Sequence, residues 1–152
     1  MSEIIMRRLI TLFILSLFTV LAQAEVIDIN NAELDKLVKS GVPVIDIRTQ
    51  AEWEETGIVK GSTLLTFFDE RGRTDAPAWL NKAIPVAKPD QPVIVICRSG
   101  NRTKPVSLFM SQQAGYAKVY NVKDGIKGWI KSGGEVVPAT QSIAACRSAK
   151  TC

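Results

Sequence analysis

The run Val93-Ile94-Val95-Ile96, followed directly by Cys97-Arg98-Ser99-Gly100-Asn101-Arg102-Thr103, decides the fold class of this chain. Four consecutive β-branched residues predict a strand that is buried on both faces, as in the middle of a parallel sheet. The segment after Cys97 contains Gly100 and predicts a loop, and Thr103 predicts the cap of a helix that runs to residue 115. A cysteine therefore stands at the carboxyl end of a central strand, where open α/β sheets place their ligands.

Short β-branched runs alternate with helical stretches on both sides of this strand. The pattern predicts an α/β fold with a mostly parallel sheet of about five strands and helices on both faces. The other predicted strands cover residues 26–29, 44–47, 62–66 and 119–122. The predicted helices, with their caps, cover residues 30–41, 49–56, 76–83, 103–115 and 125–129. Residues 67–75 predict a charged loop that precedes the third of these helices.

The amino-terminal stretch has the pattern of an export signal. Arg7 and Arg8 precede the apolar run 9–21, and Ala22-Gln23-Ala24 offers the small residues of a cleavage site. The run is short for a membrane span, and no basic stop-transfer cluster follows it, so we expect cleavage and no stable membrane anchor afterwards. The expected organisation is a signal peptide over 1–24, one domain over 25–138 and a flexible C-terminal tail over 139–152. The expected location is the periplasm.

The composition bounds the chemistry. With 152 residues, 46% of them hydrophobic and 22% charged, the chain can bury one globular core. Removing residues 1–24 leaves 17 basic and 14 acidic residues, a net charge of +3. The basic residues are scattered along the chain and do not form a stripe, which argues against nucleic-acid binding. The sequence contains no histidine, which excludes Cys-His and Ser-His-Asp catalysis and most zinc sites. Cysteine is the remaining candidate nucleophile.

The surroundings of Cys97 favour its thiolate form over the thiol. The backbone N–H groups of residues 99–101, the positive end of the following helix dipole, and the charges of Arg98 and Arg102 all attract a negative sulfur. The thiolate is the nucleophilic form, and the same N–H groups can hold the terminal sulfur of a persulfide. An inert buried cysteine is the alternative interpretation, but the glycine and the two arginines favour the reactive one.

Several segments, in this order along the chain, resemble the rhodanese family, and the resemblance covers nearly all of residues 26–138. Val44-Ile45-Asp46-Ile47-Arg48 is similar to that family's strand ending in Asp-x-Arg, and Glu52-Trp53, Gly57 and Gly61 follow at matching distances. The segment from Cys97 to Arg102 is similar to the active loop. The closing segment matches at Gly115-Tyr116, Val119-Tyr120 and Gly125-Ile126-Lys127-Gly128-Trp129. The chain departs from the family at Ile58, Lys60 and Ser62, where histidine, proline and alanine are usual.

The resemblance implies a sulfurtransferase of the thiosulfate sulfurtransferase type, with Cys97 as the catalytic residue. Cys97 would attack the outer sulfur of a small anionic donor such as thiosulfate, release sulfite, and pass the sulfur to cyanide or to a thiol, including a protein thiol. No cofactor or metal is implied. The implied substrate-binding residues are Arg98, Ser99, Gly100, Asn101, Arg102 and Thr103. Asp46 and Arg48 are expected to brace the fold beside the loop, and Arg102 can serve as a brace or as an anion contact.

Two other functions stay open at this point. Phosphatases of similar fold use a loop with five residues between cysteine and arginine, whereas four residues separate Cys97 from Arg102 here, and the smaller ring suits a single sulfur atom better than a phosphate. The second alternative is a persulfide carrier or binding module that serves one partner protein. Cys146 and Cys152 can pair as a disulfide in an oxidising compartment, or one of them can react with the Cys97 sulfur.

Overall fold

The computed structural model describes residues 24–152, and a parallel five-stranded sheet forms its centre. The strands are β1 (Glu25–Ile29), β2 (Val44–Asp46), β3 (Ile58–Val59), β4 (Thr63–Leu64), β5 (Val93–Ile96), β6 (Lys118–Val122) and β7 (Val136–Val137). The central sheet has the order β1-β6-β5-β2-β4, and each neighbouring pair is parallel. β5 is the middle strand and all four of its residues are fully buried, as predicted.

Helices cover both faces of the sheet, which confirms the predicted α/β architecture. They are α1 (Asn31–Lys39), α2 (Gln50–Thr56), α3 (Ala76–Ala83), α4 (Thr103–Gln112), α5 (Gly125–Lys131) and α6 (Thr140–Ala149). On one face, α3 and α4 pack on β5 through a core that includes Trp79, Val106 and Met110. On the other face, α1 and α5 pack through Leu34 and Ile126. Each large aliphatic side chain buried in these layers contributes about 1.5–3 kcal/mol.

Local sequence signals explain where the first two helices begin. The side chain of Asn30 accepts a hydrogen bond from the backbone of Glu33, and the Glu33 carboxylate accepts one from the backbone of Asn30. Thr49 and Glu52 form the same kind of capping box at the start of α2. These boxes satisfy N–H groups that the first helical turn cannot pair internally, so each helix starts at a defined residue.

Two local predictions were wrong in detail, and one pair of short strands was not predicted. The strand predicted over 62–66 is ordered as a strand only at Thr63–Leu64, and the short antiparallel pair of β3 and β7 was not predicted. Strands of two residues are too short to show the alternation of apolar and polar residues that identifies a strand in a sequence. Arg102, rather than Thr103, occupies the cap position of α4, because the Thr103 hydroxyl turns back to the carbonyl oxygen of Gly100.

The segment expected to be a flexible tail is instead the helix α6, packed on the body of the domain. Its residues Ile143 and Cys146 are buried in a third apolar cluster with Trp53, Ile58 and Leu64. Cys146 also forms a disulfide with Cys152, one of the two pairings left open by the sequence. The prediction failed because the segment is rich in Ser, Ala and Lys, and Ile143 and Cys146, although they share one face of the helix, are too few to stand out in the sequence as an apolar stripe.

Residues 1–23 of the predicted signal peptide lie outside the described part of the chain. Within residues 24–152, no helix has both the length and the apolar character needed to cross a membrane.

Candidate active site

Cys97 follows β5 directly, and its side chain is almost completely buried at the carboxyl end of the sheet. Only 1% of the residue is exposed, and it belongs to the same core cluster as Val95 and Val106. The backbone N–H of Gly100 points at the Cys97 sulfur, with 3.2 Å between nitrogen and Sγ. A sulfur atom in this position accepts a hydrogen bond as a thiolate, and it is shielded from bulk water.

The close turn after Cys97 depends on Gly100. Its φ of +86° lies in the left-handed region, and a Cβ at this position would overlap the backbone carbonyl of Lys123. Only glycine combines that conformation with such a close approach. Gly100 therefore permits the turn that directs its own N–H group toward Sγ.

The start of α5, two residues after Lys123, holds the same loop through further hydrogen bonds. The N–H of Ile126 donates to the carbonyl oxygen of Cys97 at 2.8 Å, and the N–H of Lys127 donates to that of Arg98 at 3.1 Å. A Cβ on Gly125 would lie 2.5 Å from the Arg98 backbone, so this contact also requires glycine. The Cys97 loop is thus held against residues 123–127 by two close contacts that require glycine.

Thr103 is buried beneath the loop and lies next to the sulfur. Its Oγ1 is 3.7 Å from the Cys97 Sγ and donates a hydrogen bond of 2.9 Å to the carbonyl oxygen of Gly100. Because the hydroxyl hydrogen is directed to Gly100, the hydroxyl oxygen is free to accept a hydrogen bond from the thiol form of Cys97. Both protonation states of Cys97 therefore have a hydrogen-bond partner.

Arg102 is committed to a carboxylate of the neighbouring helix. Its guanidinium forms two parallel hydrogen bonds with Glu52, Nη1 to Oε2 at 2.8 Å and Nη2 to Oε1 at 2.5 Å. Burial by itself raises the pKa of the Glu52 carboxyl, but the hydrogen bonds from Arg102 and Thr49 outweigh it and hold the pKa at about 2. The hydrogen bonds with Glu52 likewise raise the pKa of Arg102. Of the two roles left open for Arg102, this geometry supports the brace.

Arg98 is the more available cation of the loop. Its side chain is 42% exposed, and the distance from Nη2 to the Glu55 carboxylate is 3.8 Å, which is an open ion pair. The Arg98 Nε is buried and has no hydrogen-bond partner among the described residues. Ser99 and Asn101, the other predicted binding residues, are exposed on the same turn. Arg98 can therefore offer its guanidinium to an anion arriving at the loop.

Asp46 and Arg48 form a buried ion pair that braces α2. Arg48 is fully buried and donates through Nε and Nη2 to the Asp46 carboxylate at distances down to 2.7 Å. The remaining guanidinium hydrogens reach the last turn of α2, at Glu52 O, Thr56 Oγ1 and Gly57 O. The pair therefore ties the end of β2 to the helix that carries Glu52.

The sequence interpretation missed the part that Glu52 plays in the site. The sequence predicted Thr49 as part of a helix cap and matched Glu52 only to the family pattern, and the Glu52 carboxylate accepts a hydrogen bond from the Thr49 backbone N–H at 3.1 Å. The same Oε2 atom also accepts from Arg102, fifty residues away in sequence. The sequence did contain a signal for this pairing. A carboxylate in the helix after the Asp-x-Arg strand can reach an arginine in the loop after the neighbouring strand, because parallel strands end at the same edge of the sheet. For Gly125, the sequence indicated only a place in the closing motif and not its close contact with the Arg98 backbone.

The predicted loop over 67–75 lies beside a separate surface groove of about 450 Å³. The groove is lined by apolar residues including Leu65, Phe67 and Trp79 and by the charged residues Asp69 and Arg73. Arg73 pairs with Asp69 across the loop, with 2.8 Å between Nε and Oδ2. None of residues 97–103 lines this groove, so its volume does not describe the access to Cys97.

Comparison with known proteins agrees with this architecture. A family model described as Rhodanese-like domain matches residues 30–132. The chain is 29% identical to Thiosulfate sulfurtransferase 18 of Arabidopsis thaliana over 111 residues, which is 70% of this chain and 79% of that protein. It is also similar to the crystal structure of a rhodanese-related protein from Thermoplasma volcanium, with a TM-score of 0.55 and 27% identity, covering 73% of this chain and 97% of the other.

A second similar structure has a description that suggests a different function. It is a protein of unknown function from Rhodopseudomonas palustris, described as a possible tyrosine phosphatase, with a TM-score of 0.54 and 23% identity. The alignment covers 74% of this chain and 85% of that one. At this identity the likeness shows the fold alone.

With a family match over residues 30–132 and a parallel sheet that ends at the Cys97 loop, the chain belongs to the rhodanese-like domain family.

Proposed function

We propose that this protein is a sulfurtransferase that moves a sulfane sulfur from a donor such as thiosulfate to a thiophilic acceptor through a persulfide on Cys97. The observation that carries the proposal is the hydrogen bond of 3.2 Å from the Gly100 N–H to the Cys97 Sγ, in a loop with an available arginine. The name of the Arabidopsis thaliana relative, a thiosulfate sulfurtransferase, supports the same reaction class.

In the first step, the Cys97 thiolate attacks the outer sulfur of thiosulfate. A sulfur–sulfur bond forms to Cys97, the sulfur–sulfur bond of thiosulfate breaks, and sulfite leaves with the electron pair. Arg98 neutralises the dianion as it approaches, because its guanidinium is exposed and only loosely paired with Glu55. The Gly100 N–H stabilises negative charge on the attacking sulfur, while Glu52 keeps Arg102 in place beneath the loop.

In the second step, an acceptor thiolate or cyanide attacks the outer sulfur of the persulfide. The bond between the two sulfur atoms breaks, and Cys97 leaves as a thiolate with the electron pair. The contacts that stabilise the starting thiolate, from the Gly100 N–H and the nearby positive charges, therefore also stabilise the leaving group. One arrangement thus serves both halves of the transfer.

The loop size supports sulfur chemistry over phosphate chemistry. A phosphate needs several inward-pointing N–H groups around a wide turn. Here four residues separate Cys97 from Arg102, Gly100 supplies the one backbone N–H that is hydrogen-bonded to Sγ among the described residues, and Arg102 is bound to Glu52. Hydrolysis of an aryl phosphate that disappears in Cys97→Ser would overturn this assignment.

A turnover measurement separates an enzyme from a persulfide carrier. We expect the protein to form thiocyanate repeatedly from thiosulfate and cyanide, and we expect Cys97→Ser to form none. Loading of one sulfur without turnover would instead identify a carrier that delivers only to a partner protein. The buried position of Cys97, with 1% of the residue exposed, makes small acceptors the first choice for this assay.

We also propose that residues 1–24 are a cleaved signal peptide and that the mature protein works in the periplasm. The support is the sequence pattern of Arg7 and Arg8, the apolar run and Ala22-Gln23-Ala24. A disulfide between Cys146 and Cys152 fits an oxidising compartment. Amino-terminal sequencing of the protein from a periplasmic extract should begin at Glu25, and recovery of uncleaved chain from the cytosol would contradict the proposal.

A further inference from the structure

The disulfide between Cys146 and Cys152 places its two sulfur atoms in different surroundings. Cys146 is buried beside Ile143 in the cluster that contains Trp53. Cys152 is exposed and, together with Thr151, lines the surface groove beside residues 65–82. A thiolate attacks the sulfur that it can reach. Exchange at this disulfide therefore begins at Cys152, and Cys146 is the leaving sulfur.

The turn that closes the disulfide ring is strained. Lys150 has a φ of +55°, and it is the one non-glycine residue at positive φ within residues 24–152. Its N–H donates to the Arg147 carbonyl at 3.1 Å, and the Thr151 N–H donates to the Cys146 carbonyl at 2.9 Å, so the chain folds back and brings Cys152 to Cys146. An L-residue adopts this conformation at a cost that glycine avoids. The disulfide holds the turn closed against that cost.

The structure also has a place for the reduced form of the buried cysteine. The Cys146 Sγ lies 3.3 Å from the carbonyl oxygen of Ile143, one turn earlier in α6. Once the disulfide is broken, the Cys146 thiol can donate a hydrogen bond to this oxygen without leaving the core. Reduction can therefore be a local event in which the turn at Lys150 opens while the domain stays folded.

The last turns of α6 contact the helix that supports the reactive loop. Ile143 and Cys146 pack on Trp53, and the Arg147 Nη2 donates to the Gln50 Oε1 at 2.7 Å. Gln50 and Trp53 belong to α2, as does Glu52, whose carboxylate holds Arg102. A change in the last turns of α6 thus reaches the Cys97 loop through a single helix.

We propose that Cys146–Cys152 is an exchange-active disulfide, reduced by an external dithiol, and that its reduction loosens the support that α2 gives to the Cys97 loop. A thiolate of the dithiol attacks the Cys152 Sγ, the bond between the two cysteines breaks, and Cys146 leaves with the electron pair and takes up a proton. The second thiol then attacks the mixed disulfide and releases Cys152. The dithiol is oxidised by two electrons, and the pair is reduced to two thiols.

The exchange is tested in the full chain carrying Cys97→Ser, in which the sequence leaves only this pair of cysteines. With glutathione, a monothiol, we expect a mixed disulfide on Cys152. With dithiothreitol, we expect the Cys152 thiol to become alkylatable while the circular dichroism of the fold is kept, and the buried Cys146 thiol to be alkylated only after the acid-quenched sample is denatured. A glutathione adduct on Cys146, or reduction only at denaturant concentrations that unfold the chain, would overturn the proposal.

A matched variant isolates the strained turn. Lys150→Gly keeps both cysteines and removes the cost of the left-handed conformation, so it stabilises the closed turn. We expect the dithiothreitol concentration at half-reduction to rise several-fold in the Cys97→Ser background. An unchanged midpoint would contradict the role given to the strain at Lys150.

The coupling between the disulfide and the Cys97 loop is measured first in a variant that cannot carry sulfur on Cys97. In Cys97→Ser, we expect backbone hydrogen exchange over residues 48–57 and 98–103 to be several-fold faster in the reduced than in the oxidised protein. Equal exchange in the two states would overturn the coupling.

In the chain with Cys97 intact, Cys152→Ser should load sulfur from thiosulfate several-fold more slowly than the oxidised wild type. This last arm rests on the proposed function: if the wild type loads no sulfur, that function fails, and the hydrogen exchange still decides the coupling.

Discussion

Glu52 has two tasks at one carboxylate, because it caps α2 through Thr49 and holds Arg102 in the reactive loop. Glu52→Gln keeps the size of the side chain but removes its charge, so it can no longer hold the guanidinium in the same charge-assisted pair. We expect kcat/KM for thiocyanate formation to fall roughly tenfold, which corresponds to about 1.4 kcal/mol of transition-state stabilisation. Glu54→Gln on the same helix is the control, since Glu54 is exposed and contacts Gln50.

The same residue predicts a dependence of stability on pH. Because the pKa of Glu52 is lowered from 4.5 to about 2 in the folded protein, its ionised form is favoured by folding. This linkage favours the folded protein above pH 4.5, by less than about 3 kcal/mol because solvent screens the partly exposed carboxylate, and the contribution is lost as the pH falls toward 2. Urea unfolding of wild type and Glu52→Gln should differ at neutral pH and converge in acid. A constant difference across this range would show that Glu52 is not the responsible group.

Gly100 allows a sharp test of the loop geometry. Gly100→Ala adds a Cβ that would overlap the backbone carbonyl of Lys123, so the turn must shift and the N–H must leave the Cys97 sulfur. We expect the rate of sulfur loading to fall about a hundredfold, a loss of the size seen when one N–H donor is removed from a charge-stabilising site. Gly133→Ala is the matched control, because Gly133 also has positive φ, +82°, but has no atom within 4 Å of the added Cβ. Equal losses in the two variants would assign the effect to backbone strain alone.

At the scale of elements, α2 depends on the buried guanidinium of Arg48. This side chain satisfies Asp46 and three acceptors at the end of α2, and Arg48→Lys cannot reproduce that fork of donors. We expect the free energy of unfolding, measured in urea, to fall by about 3–5 kcal/mol. The exposed pair of Lys39 and Asp35 is the comparison, and Lys39→Ala should cost less than about 0.5 kcal/mol. A loss below 1 kcal/mol for Arg48→Lys would contradict the bracing role.

Elements with a strong local signal could be predicted, and those held mainly by distant contacts could not. The unbroken run 93–96 and the capping boxes at Asn30 and Thr49 are local patterns, and the structure places the corresponding elements as predicted. The helix α6 depends on contacts with Trp53, about ninety residues away in sequence, and the two-residue strands β3 and β7 depend on each other, nearly eighty residues apart. Their own composition carries little signal.

At the scale of the whole molecule, the topology brings the parts of the site together. Parallel strands order their carboxyl ends along one edge, so the loop after β5 meets the helix that follows β2. The position of Cys97 therefore followed from its sequence pattern, whereas the pairing of Glu52 with Arg102 required the strand order. The same reasoning explains why the role of Arg102 stayed open until the distance to Glu52 was known.

The central claim is that Cys97 carries the transferred sulfur. Incubation of the protein with thiosulfate, followed by mass spectrometry of the intact chain and its peptides, tests this most directly. We predict a gain of one sulfur atom, located on the peptide that contains Cys97, reversed by cyanide and absent from Cys97→Ser. No mass gain, or a gain that persists in Cys97→Ser, would contradict the account.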